Sequence, residues 1–319
     1  RLENNVGMKT LYKIGKLFVD DYIASFDKAP KKVIVDADDT NFNTYGAQQL
    51  SLFNAYYNEY CYMPLLMFDG MTGKLILPLL RPGRRNKSLS VAKIMMRLIE
   101  YIHQHWPKTI IEIRGDIGVL LDLVDKPRRR AENDYTKAQK TEDDRYNTLV
   151  KQGHVVKRER VVIRRYFTLE YKAGTWEHAQ RVIAKIEVSA EGTNIRFVVT
   201  SNRNNSAETI YKRYCGRGEM ELWIKDLKYF KADRMSCNTY RANYFRLFLY
   251  AAAFVMAHRM KHTVFKDTQE ERFTMNSLIK RIMLSAVYIT EKKTLIRISF
   301  SPHHRHLEDM LSALKRIAA

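Results

Sequence analysis

The sequence has few cysteines and no long apolar run. Its 319 residues include only three cysteines, Cys61, Cys215 and Cys237, and their spacing does not match that of a zinc site. This argues against a disulfide-stabilised secreted domain and favours reduced thiols in a cytoplasmic protein. The most apolar stretch, Phe245–Met256, contains Arg246 and is far shorter than the ~20 residues that a membrane span needs. We therefore expect a buried helix there and no membrane partner.

Acidic residues are also scarce relative to basic ones. The chain has 55 Lys and Arg against 35 Asp and Glu, a net charge of +20, which indicates a polyanionic partner such as nucleic acid. Basic runs at Arg81–Lys87, Lys126–Arg130 and Lys157–Arg165 favour a long path of phosphate contacts, with Arg84 and Arg85 as candidates in the first run. Each run alone is also compatible with a solvated loop, and a structural RNA-binding protein would carry a similar charge.

Three histidines cluster near the C-terminus, at His303, His304 and His306. Neither a cysteine nor a second pair of histidines lies near them in the sequence, as a zinc site would require. We interpret them as exposed side chains and predict no zinc site.

A β-branched run leads directly into acidic residues in Lys31–Thr40, KKVIVDADDT. This pattern predicts a buried strand that ends at a functional site. Alternation along a strand places Asp36 and Asp38 on one face, with Ile34. The alternative is a solvated Asp-rich turn that caps the next element.

The next segments predict the order strand, hairpin, helix, strand. They are apolar runs at Leu65–Phe68 and Lys74–Leu80 around a Gly-containing turn, a helical pattern from Ala92 to Ile102, and a β-rich run at Ile110–Arg114. Asp116 follows the last strand, where it either contributes to a site or occupies a turn. The apolar run that begins at Ile117 leaves no room for the dozen or so residues of a parallel crossover. We therefore expect that a segment is missing between Asp116 and Ile117.

Polar residues recur at helical spacing between positions 214 and 228. They are Tyr214, Arg217, Glu221 and Lys228, at spacings of three, four and seven, together with Lys225. The spacing predicts one face of a helix whose apolar residues pack on a core. Such a face could hold a metal ion through its carboxylate and phosphate through its cations, or it could be a solvated ladder of ion pairs. Gly216 and Gly218 favour the first interpretation. Glycine within a helix lowers its stability, and a close approach of another group to the backbone would explain why glycine is present.

This spacing resembles the signature around the last catalytic carboxylate of bacterial insertion-sequence transposases of the DDE type. The resemblance implies an α/β fold: an RNase H-like mixed sheet with flanking helices, a β-rich insertion between the second Asp and the Glu helix, and a helical C-terminal part. The first catalytic Asp of that family ends the first strand and has Thr two residues on, as Asp38 and Thr40 do. The first and fourth strands of such a domain are neighbours, which would bring Asp38 and Asp116 together. Tyr45 stands where the family commonly has His.

The resemblance also implies a chemistry and partners. Asp38, Asp116 and Glu221 would bind two Mg²⁺ or Mn²⁺ ions for DNA cleavage and strand transfer, with Asp36 as an alternative ligand or a residue that orients one. Arg217, Lys225 and Lys228 would position phosphates and Tyr214 would contact or stack beside them, while Trp176 could stack on a displaced base or pack in the core. The partners would be terminal inverted repeats and target DNA, bound by a homodimer that is cytoplasmic and nucleoid-associated.

The same resemblance suggests a domain organisation. Residues 1–30 would be the remnant of an N-terminal DNA-binding region, 31–124 the first part of the catalytic core, 125–203 a charged linker and β-rich insertion, 204–262 the signature helix and completion of the core, and 263–319 a C-terminal helical segment. The charged stretch 125–160 is expected to be an exposed helix or a mobile linker. Two alternatives to a transposase are an RNase H-like nuclease without strand transfer and a transposase-derived DNA-binding protein without catalysis.

Overall fold

The computed structural model of the chain describes residues 2–83, 91–114, 125–172 and 178–318. Contacts within the chain divide it into two units, of which the first combines residues 1–114 with 218–319 and the second comprises 115–217. The first unit is therefore built from two separate stretches of sequence.

The first stretch of the first unit begins with a short 3₁₀ turn. Its further elements are α1 (Met8–Ala24), β1 (Lys32–Asp39), β2 (Phe42–Asn43), β3 (Leu52–Asn54), β4 (Glu59–Tyr62), β5 (Leu65–Asp69), β6 (Leu75–Leu79), α2 (Val91–His105) and β7 (Ile110–Arg114). The main sheet has the strand order β6-β5-β1-β7, in which β5 is antiparallel to β1 and β7 is parallel to it. The predicted strands, the hairpin and the adjacency of the first and fourth long strands are therefore confirmed.

The described residues of the second unit form one long helix, a three-stranded sheet and a short helix. These are α3 (Asp125–Lys151), β8 (Ile163–Tyr171), β9 (Gln180–Ser189), β10 (Gly192–Thr200) and α4 (Ala207–Cys215). The sheet is antiparallel with β9 in the centre, where Val182, Ala184 and Ile186 are fully buried. The charged stretch 125–160 was expected to be an exposed helix or a mobile linker, and a helix forms over most of its length. It buries Ala131 against this sheet.

The chain then completes the first unit. Its remaining elements are α5 (Gly218–Tyr229), α6 (Tyr240–Thr263), a 3₁₀ turn (Gln269–Arg272), α7 (Met275–Leu278), a π turn (Ile279–Met283), β11 (Val287–Lys292), β12 (Leu295–Phe300) and α8 (Leu307–Ala318). The prediction of a buried helix around Phe245–Met256 is confirmed, since Leu247, Ala251 and Phe254 of α6 lie in the core. Among the described residues, no helix combines the length and apolarity that a bilayer span requires.

Two sequence-based predictions for the C-terminal part are wrong. The segment 263–319 was expected to be helical, but the chain from Val287 forms a strand paired with β12. The reason is local, because β-branched residues such as Val287 and Ile289 favour the pleated backbone. His306 was expected to be exposed, yet it is 6% exposed and contacts the buried Glu270.

The main sheet separates two layers of packing. Val33 and Val35 point to one face, where they pack with residues of α1 and α2. Leu66 and Phe68 of β5 point to the other face and pack with residues of α5 and α6. The fold is thus a mixed α/β core with flanking helices, a β-rich inserted unit and a C-terminal part, as the family resemblance implies.

Candidate active site

Asp38 is the penultimate residue of β1 and faces the side of the sheet that α5 covers. It lies opposite Leu66 of β5, as Asp36 lies opposite Phe68. Directly opposed residues of an antiparallel pair project to the same face. Both carboxylates therefore project to the face on which Leu66 and Phe68 contact α5 and α6. Asp38 is half-buried, and its Oδ1 accepts a hydrogen bond from the Asp39 amide at 3.0 Å.

Asp36 forms a buried ion pair with Arg114, the last residue of β7. The Nε and Nη2 atoms of Arg114 donate to Oδ1 and Oδ2 of Asp36, both at 2.5 Å. Asp36 is 0% exposed and Arg114 is 6% exposed. Since both carboxylate oxygens accept hydrogen bonds from the guanidinium group, the geometry argues against Asp36 as a metal ligand. The ion pair joins β1 to β7 at the last residue of β7.

Gly70 allows this ion pair to lie against the turn between β5 and β6. A Cβ atom at Gly70 would overlap Nη2 of Arg114 and would lie 2.6 Å from Oδ2 of Asp36. Its backbone amide donates to the carbonyl oxygen of Ile34 at 2.7 Å, which fixes the turn against β1. Glycine at this position is thus a requirement of close packing around the buried pair.

The predicted signature helix is not continuous. Helix α4 ends at Cys215 and α5 begins at Gly218, so the prediction of one helix from Tyr214 to Lys228 is wrong. The break coincides with Gly216 and Gly218, residues of low helix propensity. No described atom lies within 4 Å of a Cβ built on Gly218, so the expected close backbone approach is not found there. Tyr214 and Arg217 belong to the second unit, whereas Glu221, Lys225 and Lys228 belong to the first.

Tyr214 packs within its own unit. Its ring lies 6.3 Å from that of Tyr211 and joins a small apolar cluster with Ile183 and Val198 of the second sheet. This contact supports a packing role for the side chain. Arg217 is half-buried and is the last residue of the unit.

The N-terminal half of α5 lies against the sheet beside Asp36. Trp223 stacks at an angle on Phe68, with ring centroids 5.7 Å apart, and Phe68 is the residue opposite Asp36. The buried residues Met220 and Ile224 hold this part of the helix on the core. The helix therefore has a fixed position over this part of β1.

The C-terminal half of α5 reaches the residues that follow β1. The Nζ atom of Lys228 donates to Oγ1 of Thr40 at 2.9 Å and to the carbonyl oxygen of Asn41 at 3.3 Å. Thr40 is two residues beyond Asp38. The N-terminal half of α5 lies beside Asp36 and the C-terminal half contacts Thr40, so Asp38 lies between these two points of contact. Burial lowers the pKa of Lys228, and the negative charge of Asp233 opposes this shift.

Glu221 lies on the same side of α5 as Lys228. The two residues are seven apart, which is about two turns, or roughly 10.5 Å along the helix axis. Glu221 is exposed and belongs to the first turn of α5, and Lys225 is an exposed residue one turn further on. Helix α5, which carries Glu221, thus packs on the face of the main sheet to which Asp38 projects.

A cleft of about 640 Å³ opens next to the end of β1. Lys228, Arg234 and Arg246 supply three cations to its lining, and Asp233 supplies one anion. Asn41, three residues beyond Asp38, also lines it. The excess of cations suits a phosphate-bearing ligand. One signal for this cleft is visible in the sequence, namely Arg246 within an otherwise apolar run, whereas no sequence pattern points to Arg234.

Four predicted site residues lie outside the described residues: Arg84, Arg85, Asp116 and Trp176. The junction between Asp116 and Ile117 lies outside them too. The last described residue before Asp116 is Arg114, which is opposite Asp36 in the parallel pairing of β1 and β7.

Comparison with known families agrees with this fold. The family model described as Transposase DDE domain group 1 matches residues 1–319, the whole chain. No curated protein sequence shows a significant match. Since the family model covers every residue, the chain belongs to the Transposase DDE domain group 1 family.

Proposed function

We propose that this chain is a cut-and-paste transposase in which Asp38, Asp116 and Glu221 form the catalytic carboxylates. The observation that supports this most strongly is the packing of α5, the helix that carries Glu221, on the face of the sheet from which Asp38 projects. The pairing of Arg114 with Asp36 gives further support, because Asp116 follows Arg114 by two residues and Asp38 follows Asp36 by two.

The residues fit a divalent ion of the Mg²⁺ or Mn²⁺ type. Carboxylate oxygens are the ligands that such ions prefer, and Asp38 is only half-buried, so it is accessible from solvent. Two bound ions would supply activation of the attacking hydroxyl group and charge stabilisation of the leaving oxygen. Arg114 neutralises the charge of Asp36. The negative charge beside the scissile phosphate would therefore come from the carboxylates that hold the ions.

The chain's own cations would hold the DNA. Lys228, Arg234 and Arg246 line the cleft beside β1 and would bind backbone phosphates there, and the exposed Lys225 lies on the adjoining turn of α5. Phosphate contacts fix the register of a nucleic acid without reading its sequence. The cleft would thus hold the strand so that one phosphodiester lies against the carboxylates.

Cleavage and strand transfer would share this site. Both are in-line displacements at phosphorus that differ only in whether water or a 3′-hydroxyl attacks. A homodimer bound to both terminal inverted repeats would keep the two ends together.

The test is an assay of the full chain with DNA that carries the element's own ends and Mg²⁺. We expect nicked ends and, with added target DNA, joined products. Nicked ends without joined products would favour an RNase H-like nuclease. Binding without any cleavage in Mg²⁺ or Mn²⁺ would favour a DNA-binding protein without catalysis, and either outcome would overturn the proposal.

Lys228→Met should reduce the salt dependence of DNA binding. If the ammonium group contacts a phosphate in the cleft, its loss should lower the slope of log K against log salt by about one. Lys266→Met is the matched control, since Lys266 is exposed beyond the end of α6, and it should keep the wild-type slope. Fluorescence anisotropy over a range of NaCl concentrations gives both slopes. A wild-type slope for Lys228→Met would mean that Lys228 only fastens α5 to Thr40 and Asn41.

A further inference from the structure

Three metal-ligating side chains meet in the C-terminal part of the first unit. Glu270 comes from the 3₁₀ turn after α6, His306 directly precedes α8, and Asp309 lies in the first turn of α8. One potential ligand atom from each lies within 4.8 Å of the other two. Glu270 is 0% exposed, His306 is 6% exposed and Asp309 is half-buried. These residues are distinct from Asp38 and Glu221 in sequence and in role.

The cluster has an unsatisfied acceptor. Oε1 of Glu270 contacts Nδ1 of His306 at 2.7 Å, but Oε2 of Glu270 is buried and has no hydrogen-bond partner among the described residues. A buried carboxylate oxygen without a partner is unfavourable by a few kcal/mol, and a second carboxylate nearby makes the local charge more negative. One imidazole cannot neutralise two carboxylates. A cation bound between them would satisfy the acceptor and balance the charge.

We propose that Glu270, His306 and Asp309 bind one divalent transition-metal ion, for which Zn²⁺ is the best match. One imidazole nitrogen with carboxylate oxygens is a ligand set that Zn²⁺ accepts in proteins. Ligand atoms around a tetrahedral Zn²⁺ lie roughly 3.4 Å apart, given metal–ligand distances of about 2.0–2.2 Å. The observed separations, from 2.7 Å to at most 4.8 Å, bracket that value. Small side-chain movements would therefore complete the site.

Such an ion would fasten α8 to the turn that follows α6. His306 is already held in place by hydrogen bonds of the segment between β12 and α8. The backbone amide of His306 donates to Nδ1 of His304 at 3.2 Å, and Nε2 of His304 lies 2.9 Å from Oγ of Ser285. Bound metal would stabilise the folded state in proportion to its affinity, since the unfolded chain does not hold the three ligands together. The role is structural and does not depend on the proposed catalytic function.

The test uses the full chain with Asp38→Asn and Glu221→Gln, so that metal binding at those carboxylates does not obscure the result. After treatment with a chelator, the protein is titrated with Zn²⁺ by calorimetry, and its melting temperature is measured with and without Zn²⁺. We expect one bound Zn²⁺ per chain and a higher melting temperature in its presence.

Further substitutions in that background locate the ion. His306→Gln and Asp309→Asn should each lower the affinity by at least about 10-fold, because the loss of a residue that only orients a ligand already costs about 10–100-fold. His303→Gln and Glu308→Gln are matched controls at exposed neighbouring positions and should bind normally. Should His306→Gln fail to fold, the nearly isosteric Asp309→Asn decides. Absence of bound Zn²⁺, or unchanged Zn²⁺ affinity in Asp309→Asn, would overturn the proposal. A proton would then neutralise the negative charge of the cluster.

Discussion

Asp38→Asn and Glu221→Gln should each abolish Mg²⁺-dependent cleavage of element-end DNA while leaving DNA binding within a few-fold of wild type. Each change removes a ligand charge from the proposed metal site, and a loss of about three orders of magnitude or more is expected when one member of such a unit is lost. Affinity should persist because phosphate contacts dominate it. The amide side chain introduced by Asp38→Asn keeps an oxygen able to accept the Asp39 amide, so the end of β1 should retain its structure. Cleavage rates on labelled DNA and binding by anisotropy measure the two effects separately.

Glu219→Gln provides the matched control for Glu221→Gln. Glu219 is also exposed in the first turn of α5, but it lies two residues from Glu221 and so faces a different direction around the helix. The control should cleave at the wild-type rate. If Asp38→Asn cleaved normally, Asp38 would not belong to the site, and equal losses for Glu219→Gln and Glu221→Gln would indicate damage to the helix rather than loss of a ligand.

The sequence predicted the parts of this fold that local patterns determine. The run from Lys31 to Thr40 has β-branched residues followed by acidic ones, which predicts both the buried strand and its polar end. Alternation along that strand also placed Asp36 and Asp38 on one face, as the register with β5 confirms. The same local reasoning failed at Gly216 and Gly218, where the weak helix propensity was a direct signal for the break between α4 and α5.

The remaining features depend on residues that are distant in sequence. Asp36 and Arg114 are separated by 78 positions, so their pairing follows from the parallel register of β1 with β7 and not from any local pattern. The contact of Lys228 with Thr40 spans 188 positions and follows from how α5 packs on the sheet. The cluster around His306 could not be predicted for the same reason, since Glu270 is 36 residues away.

Arg114→Met should destabilise the first unit strongly, by about 3–5 kcal/mol, because it removes the guanidinium group that pairs with the buried carboxylate of Asp36. Both oxygens of Asp36 accept hydrogen bonds from this guanidinium group, and neither side chain has appreciable access to water. Replacing both partners, as Asp36→Leu with Arg114→Met, should restore much of the stability, since an apolar pair leaves no buried charge. Urea denaturation of the wild type, both single variants and the double variant gives the coupling energy as a double-mutant cycle.

Arg259→Met is the control that separates burial from ion pairing. Nη2 of Arg259 donates to both oxygens of Asp21 at 2.8 Å, so this arginine also contacts both carboxylate oxygens, but the two side chains are 52% and 44% exposed. Water solvates the carboxylate of Asp21 after Arg259 is removed, so this substitution should cost no more than about 1 kcal/mol. The comparison therefore isolates the effect of burial at Asp36. If Arg114→Met cost no more than Arg259→Met, then Asp36 would be solvated or protonated, and one of its oxygens would again be a candidate ligand beside Asp38.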